Sequence, residues 1–128
     1  MITLNEIMVG NWIKGIALGQ YHQVDAFFFH EWYDHIYSDD DTFGDWYEGI
    51  PSSPEILEKC GFEWDIFYQG LCNGRYVVNI LHDGTISFAY AKRRHDEMQF
   101  IPYIKYLHQL QNIYYSLTQT ELKIQLQP

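Results

Sequence analysis

Two dipeptides, Asn73-Gly74 and Asp83-Gly84, do most to limit what this chain can fold into. Each is a strong short-range hairpin signal, because the left-handed backbone of a tight turn suits Asn, Asp and Gly and few other residues. The runs around them, 62–68, 75–81 and 85–91, are rich in β-branched and aromatic residues. They predict an antiparallel meander with 69–74 and 82–84 as its connections. A fourth run, 98–103, extends the meander across the polar turn 92–97, and Pro102 places that run at an edge or a strand end.

Helix signals flank this sheet. Ser53 can cap a helix that has Pro54 at its first position, and Gly61 follows Cys60 where a left-handed residue ends a helix, so a short helix is expected over 54–60. Further on, Tyr103, Leu107, Leu110, Tyr114 and Leu117 recur at spacings of 4, 3, 4 and 3, which predicts an amphipathic helix over 104–117. Its other side shows His108, Gln109, Gln111, Asn112 and Ser116, polar with hardly any charge, and suited to homodimerisation. Residues 122–126 alternate as a half-buried edge strand would.

The first half is read from composition. Residues 6–15 mix β-favouring residues with glycine and suggest a short opening strand, of the kind that begins SH3-like barrels. Residues 20–37 are β-favouring and aromatic on both parities, so a strand buried on both faces is expected. Residues 38–49 are acidic and punctuated by glycine, which reads as a long exposed loop. The whole is expected to be α+β: an antiparallel sheet of about five or six strands packed on the C-terminal helix, with one short helix besides. With 128 residues, 47% of them apolar, a single globular domain over 1–128 has enough material for a core.

Charge narrows the partners. Seventeen acids against eight bases give −9, a sign that repels phosphate backbones, so direct nucleic-acid binding is not expected. The excess is concentrated: residues 1–65 carry 13 acids and only Lys14 and Lys59, whereas 66–128 carry 4 acids and 6 bases. No apolar run is long enough to span a membrane, and the opening residues lack a basic-then-apolar export pattern. Two cysteines, Cys60 and Cys72, are too few for a disulfide framework, which favours reduced thiols and a cytoplasmic location.

No constellation demands a particular chemistry. His30 and His35 are five apart, a spacing that separates them by about 140° on a helix and puts them on opposite faces of a strand, so they form no chelating pair. Asp39, Asp41, Gly44 and Asp45 echo a calcium loop, but Phe43 and Ile50 stand where ligands are needed. Glu31 and Asp34 would face opposite ways on a strand, against a paired-carboxylate site. Cys60 looks like core and not a nucleophile. No phosphate-binding glycine loop is present. No metal, no cofactor and no enzymatic activity are therefore expected. Lys92, Arg93 and Arg94 read first as charges that protect a sheet edge, with an anion or partner patch as the alternative.

Three segments carry a resemblance: Glu6-Ile7 with Gly10-Asn11-Trp12-Ile13, residues 50–62 around Pro51-Ser52-Ser53-Pro54, and 106–118 around Gln109-Leu110-Gln111-Asn112. Together they resemble a family of small proteins from gut Bacteroidetes and their mobile elements, a family to which no activity is assigned. The resemblance covers about a third of the chain, and residues 20–49 depart from it by being expanded, more aromatic and more acidic. It implies a bacterial or mobile-element protein and assigns no residue a role.

Ten aromatics between Tyr21 and Tyr47, beside Asp39, Asp40 and Asp41, suit a protein interface, with Trp32, Trp46 and Tyr47 as anchors. A non-catalytic interaction or accessory protein, binding a protein partner or itself, is therefore the leading expectation. Two alternatives stand beside it: an acidic mimic of nucleic acid that blocks a DNA-binding enzyme, and a small-ligand or carbohydrate-binding module.

Overall fold

A computed structural model describes residues 2–38, 42–67, 69–74, 76–90, 100–124 and 126. The fold is α+β, with a five-stranded and a three-stranded antiparallel sheet. Contacts group the chain into two compact units, one of Met1–Ile50, Leu107–Glu121 and Leu126–Pro128, the other of Pro51–Tyr106 and Leu122–Gln125.

In the first unit, β1 (Trp12–Gly15) lies between β2 (Tyr21–Gln23) and β3 (Tyr47–Gly49), antiparallel to both. Between β2 and β3 the chain forms α1 (Ala26–Tyr37) and a tight 3-10 turn (Phe43–Trp46). The core gathers Ile2, Ile7, Ile13, Val24, Phe28, Trp32 and Phe43. The last helix, α3 (Leu107–Thr118), packs on β1. The helix expected to cover the larger sheet thus groups with the smaller one.

Two readings of this region are corrected. Residues 26–37 form a helix and not a strand: Asp25 Oδ1 accepts from Phe28 N at 2.8 Å and caps it, and Phe28 and Trp32 share its inner face. Trp32, expected as an exposed anchor, is 5% exposed and belongs to the core. Residues 43–49 are likewise no open loop, since Phe43 and Gly44 are buried and 47–49 pair with β1.

In the second unit, α2 (Pro54–Lys59) ends in a Schellman closure: Phe62 N donates to Leu57 O at 3.1 Å and Gly61 N to Glu58 O at 3.0 Å, with Gly61 at φ 89°. The sheet then runs in chain order through β4 (Glu63–Asp65), β5 (Gly70–Asn73), β6 (Tyr76–Ile80), β7 (Ile86–Tyr90) and β8 (Phe100–Ile104). Strand β5 occupies a stretch expected only to connect. Its register sets Asn73 opposite Tyr76, so Asn73, expected in the turn, pairs within the sheet, and Gly74 follows it at φ 63°. The Asp83-Gly84 turn forms as expected, Asp83 Oδ1 accepting from Thr85 N at 3.0 Å. Consecutive buried residues, Val77 and Val78 on β6 and Ile86 through Ala89 on β7, show both faces of the central strands shielded. Leu122, Ile124 and Leu126 are buried with the expected alternation, yet no strand forms there among the described residues.

Candidate interaction surface

Helix α1 carries aromatics on two sides and has one core to bury them in. Phe28 and Trp32 point into the first unit, where Phe28 meets Phe43 at 5.4 Å and Tyr47 at 5.1 Å between ring centroids. At about 100° per residue, Phe27, His30, Asp34 and Tyr37 fall within about 80° of one another on the opposite side. That outward face is exposed, Phe27 to 65% and Tyr37 to 85%, with Tyr33 half exposed at its border. His30 lies tilted against Phe27, centroids 6.4 Å apart, and its Nε2 lies 3.5 Å from Asp34 Oδ2.

The turn after α1 adds Trp46. Gly44 permits it, because the turn runs so close to the Ile2 carbonyl and the Trp32 ring that a Cβ would have no room. Phe43 inserts into the core, and the half-buried His35 bridges outward, 4.9 Å from Phe43 and edge-on to Trp46 at 5.2 Å. Trp46 is 48% exposed. Tyr47, packed on the core, is partly buried; burial raises its hydroxyl's pKa, and the Glu31 carboxylate adds to the shift. Of the three expected anchors, Trp46 is at the surface, Tyr47 half belongs to the interior, and Trp32 wholly does. Sequence reasoning missed Phe27, Tyr33 and Tyr37 as surface residues. The signal was available in Asp25 as a cap and in the i, i+4 pair Phe28 and Trp32.

Asp39, Asp40 and Asp41, and the basic Lys92, Arg93 and Arg94, lie outside the described residues. Gly44 and Asp45 of the calcium-loop echo sit in the 3-10 turn, and Ile50 is buried. Among the described residues no three His, Cys, Asp or Glu side chains come together as a metal-binding group. The Cys60 thiol is pushed up to about 12 by burial, so it is held as an un-ionised thiol and is a poor nucleophile.

On the low-charge side of α3, expected as a dimer face, Gln111 and Asn112 are engaged within their own unit, and Ser116 is exposed. Gln111 accepts from Trp12 N at 2.9 Å and donates to Gly10 O at 3.1 Å. Asn112 accepts from Asn11 Nδ2 at 2.8 Å and donates to Glu6 O at 3.1 Å. Asn11 in turn accepts from Met8 N at 2.8 Å. Three side-chain amides, Gln111, Asn112 and Asn11, thus satisfy the backbone of residues 6–12, where uncompensated polar groups would be costly. His108, also buried, has its Nε2 3.9 Å from Glu6 Oε1, and burial lowers its pKa against the raising effect of Glu6. Burial of His108 and Gln111 disfavours charge on that part of the face, while Ser116 is exposed.

The two units differ sharply in charge. The first holds ten acids and one base, Lys14, and so all of the net −9; the second holds seven of each. Lys14 itself faces Glu48 at 4.0 Å. No helix among the described residues is long and apolar enough to cross a membrane. No family model matches the chain, and neither does any curated protein or solved structure.

Proposed function

We propose that the chain is a non-catalytic interaction protein that docks a partner protein on the exposed aromatic face of its acidic unit. The observation that carries this reading is the outward side of α1: Phe27 and Tyr37 stand in solvent although the helix has already given Phe28 and Trp32 to the core. A surface helix ordinarily pairs one apolar stripe with a polar one, and aromatics on the second side favour a covering partner. Tyr33 at the border of that side is exposed as well, and Trp46, set against His35 and Phe43, is a further exposed aromatic of the same unit. The free thiols of Cys60 and Cys72 suit a reducing cytoplasm.

The test compares proteins retained from host lysate by the wild-type chain and by Phe27→Ala/Tyr37→Ala, quantified by mass spectrometry. Both substituted side chains are exposed, so the fold should survive, as circular dichroism would verify. A retained partner that disappears with the double variant supports the reading. Identical retention by both proteins removes it.

A further inference from the structure

The charge of the first unit and the spacing along α1 together specify the partner's chemistry. We propose that the outward face of α1 binds an arginine-rich segment of the partner protein, an inference that rests on the interaction reading above. Ten acids against a single base, itself beside Glu48, draw cationic segments toward this unit and repel anionic ones. A second copy docking by this same face is the poorest occupant, because it would bring ten more acids to the same place.

At contact distance the face forms a short ladder. Phe27 and Tyr37 are ten residues apart, which along a helix is about 15 Å, with Asp34 on the same side between them and Glu31 beside it. A guanidinium is planar and weakly hydrated, stacks on an aromatic face and pairs with a carboxylate through a fork of N–H donors. Successive arginines on an extended or helical segment can therefore stack on Phe27 and Tyr37 while another meets Asp34. His30, 3.5 Å from Asp34, holds that carboxylate only at the surface, so an incoming guanidinium can take its place. Lysine, strongly hydrated and without a flat face, satisfies the carboxylate but stacks poorly.

The test uses the full chain with labelled peptides of about twelve residues, long enough to span the face, that carry four arginines, four lysines or four glutamines. Anisotropy titrations at low and near-physiological salt should show the arginine peptide binding, the lysine peptide at least about threefold weaker, and the glutamine peptide not at all. Phe27→Ala/Tyr37→Ala should weaken the arginine peptide about tenfold and Asp34→Asn about threefold, while Trp64→Ala in the second unit leaves it unchanged. Equal binding by Phe27→Ala/Tyr37→Ala would overturn the assignment, since net charge and not this face would then hold the peptide. So would absence of arginine-peptide binding. If the peptides fail while a captured partner is still lost with the double variant, the arginine assignment falls and the interaction reading stands.

Discussion

Gln111 offers the most direct way to ask what holds the acidic unit together. Its carboxamide accepts from the buried Trp12 N–H at 2.9 Å and donates to Gly10 O at 3.1 Å. Gln111→Met keeps the length and most of the volume of the side chain while deleting both bonds. Leaving the Trp12 N–H unsatisfied should cost about 1–3 kcal/mol, and losing the half-exposed Gly10 bond about 0.5–1.5, for a total of ~2–4 kcal/mol. Domains of this size have about 5–15 kcal/mol in all, so the effect is large. In urea, with a slope of about 2 kcal/mol per molar, the midpoint should fall by roughly 1–2 M, read by circular dichroism and tryptophan fluorescence. Gln111→Glu should fare no better, because it retains the acceptor for Trp12 but turns a carboxylate oxygen toward the Gly10 carbonyl. Ser116→Ala, which removes an exposed bond within α3, should shift the midpoint little. A Gln111→Met protein within about 0.5 kcal/mol of wild type would refute the idea that these amides anchor residues 6–12.

Four further outcomes are expected. Burial lowers the pKa of His108 in the folded state, so the native protein resists the proton that the unfolded chain accepts; stability should be undiminished above pH ~6.5 and decline below it, and a His108→Gln protein with the same decline between pH 7.5 and 5.5 would contradict this. Because the Cys60 thiol is pushed up to about 12, a disulfide reagent at pH 8 should leave it unmodified in the native protein and reach it in urea; rapid modification of both cysteines without denaturant would count against its burial. Gly44→Ala should destabilise by about 1–3 kcal/mol in thermal melts, since the new methyl meets the Ile2 carbonyl and the Trp32 ring at 3.0 Å, and an unchanged melting temperature would show that the turn can give way. Tyr103 holds φ 63° at the irregular end of β8 while remaining exposed, so Tyr103→Gly should be neutral or stabilising by up to ~1 kcal/mol, and a clear loss of stability would mean that its ring packs on something.

Local signals were legible wherever the backbone itself dictated the residue. The Asp83-Gly84 turn, Gly74 with its positive φ, and the Ser53-Pro54 start and Cys60-Gly61-Phe62 end of α2 all appear where composition and spacing place them. The helix expected over 104–117 forms as α3 over Leu107–Thr118 with Leu107 and Leu110 buried, while Tyr103 belongs to β8 and Leu117 is exposed. Residues 26–37 were misread because Phe, Tyr and Trp favour strands on average, and their alternation outweighed the weaker helical spacing of Phe28 and Trp32. Propensity of that kind amounts to tenths of a kcal/mol per residue, and a capped helix with two aromatics in the core overrides it. The stretch 70–73 was missed as a strand because Gly70 and Asn73 are turn formers elsewhere. Here Gly70 approaches the Val78 carbonyl closely, and Asn73 Nδ2 donates to Cys60 O at 3.1 Å.

By itself, then, the sequence determined the class of the fold, the Asp83-Gly84 turn and both ends of α2, the acidity of its first half and the absence of any recognisable catalytic motif, since each of these depends on neighbours along the chain or on composition alone. Only the tertiary structure decided which aromatics are interior, that Gln111 and Asn112 serve the backbone of residues 6–12 about a hundred residues away, and that the whole net charge falls on one unit. Burial is a property of position in space. A phenylalanine such as Phe27 and its neighbour Phe28 have the same side chain, and only the direction of the core makes one a foundation and the other a surface for a partner.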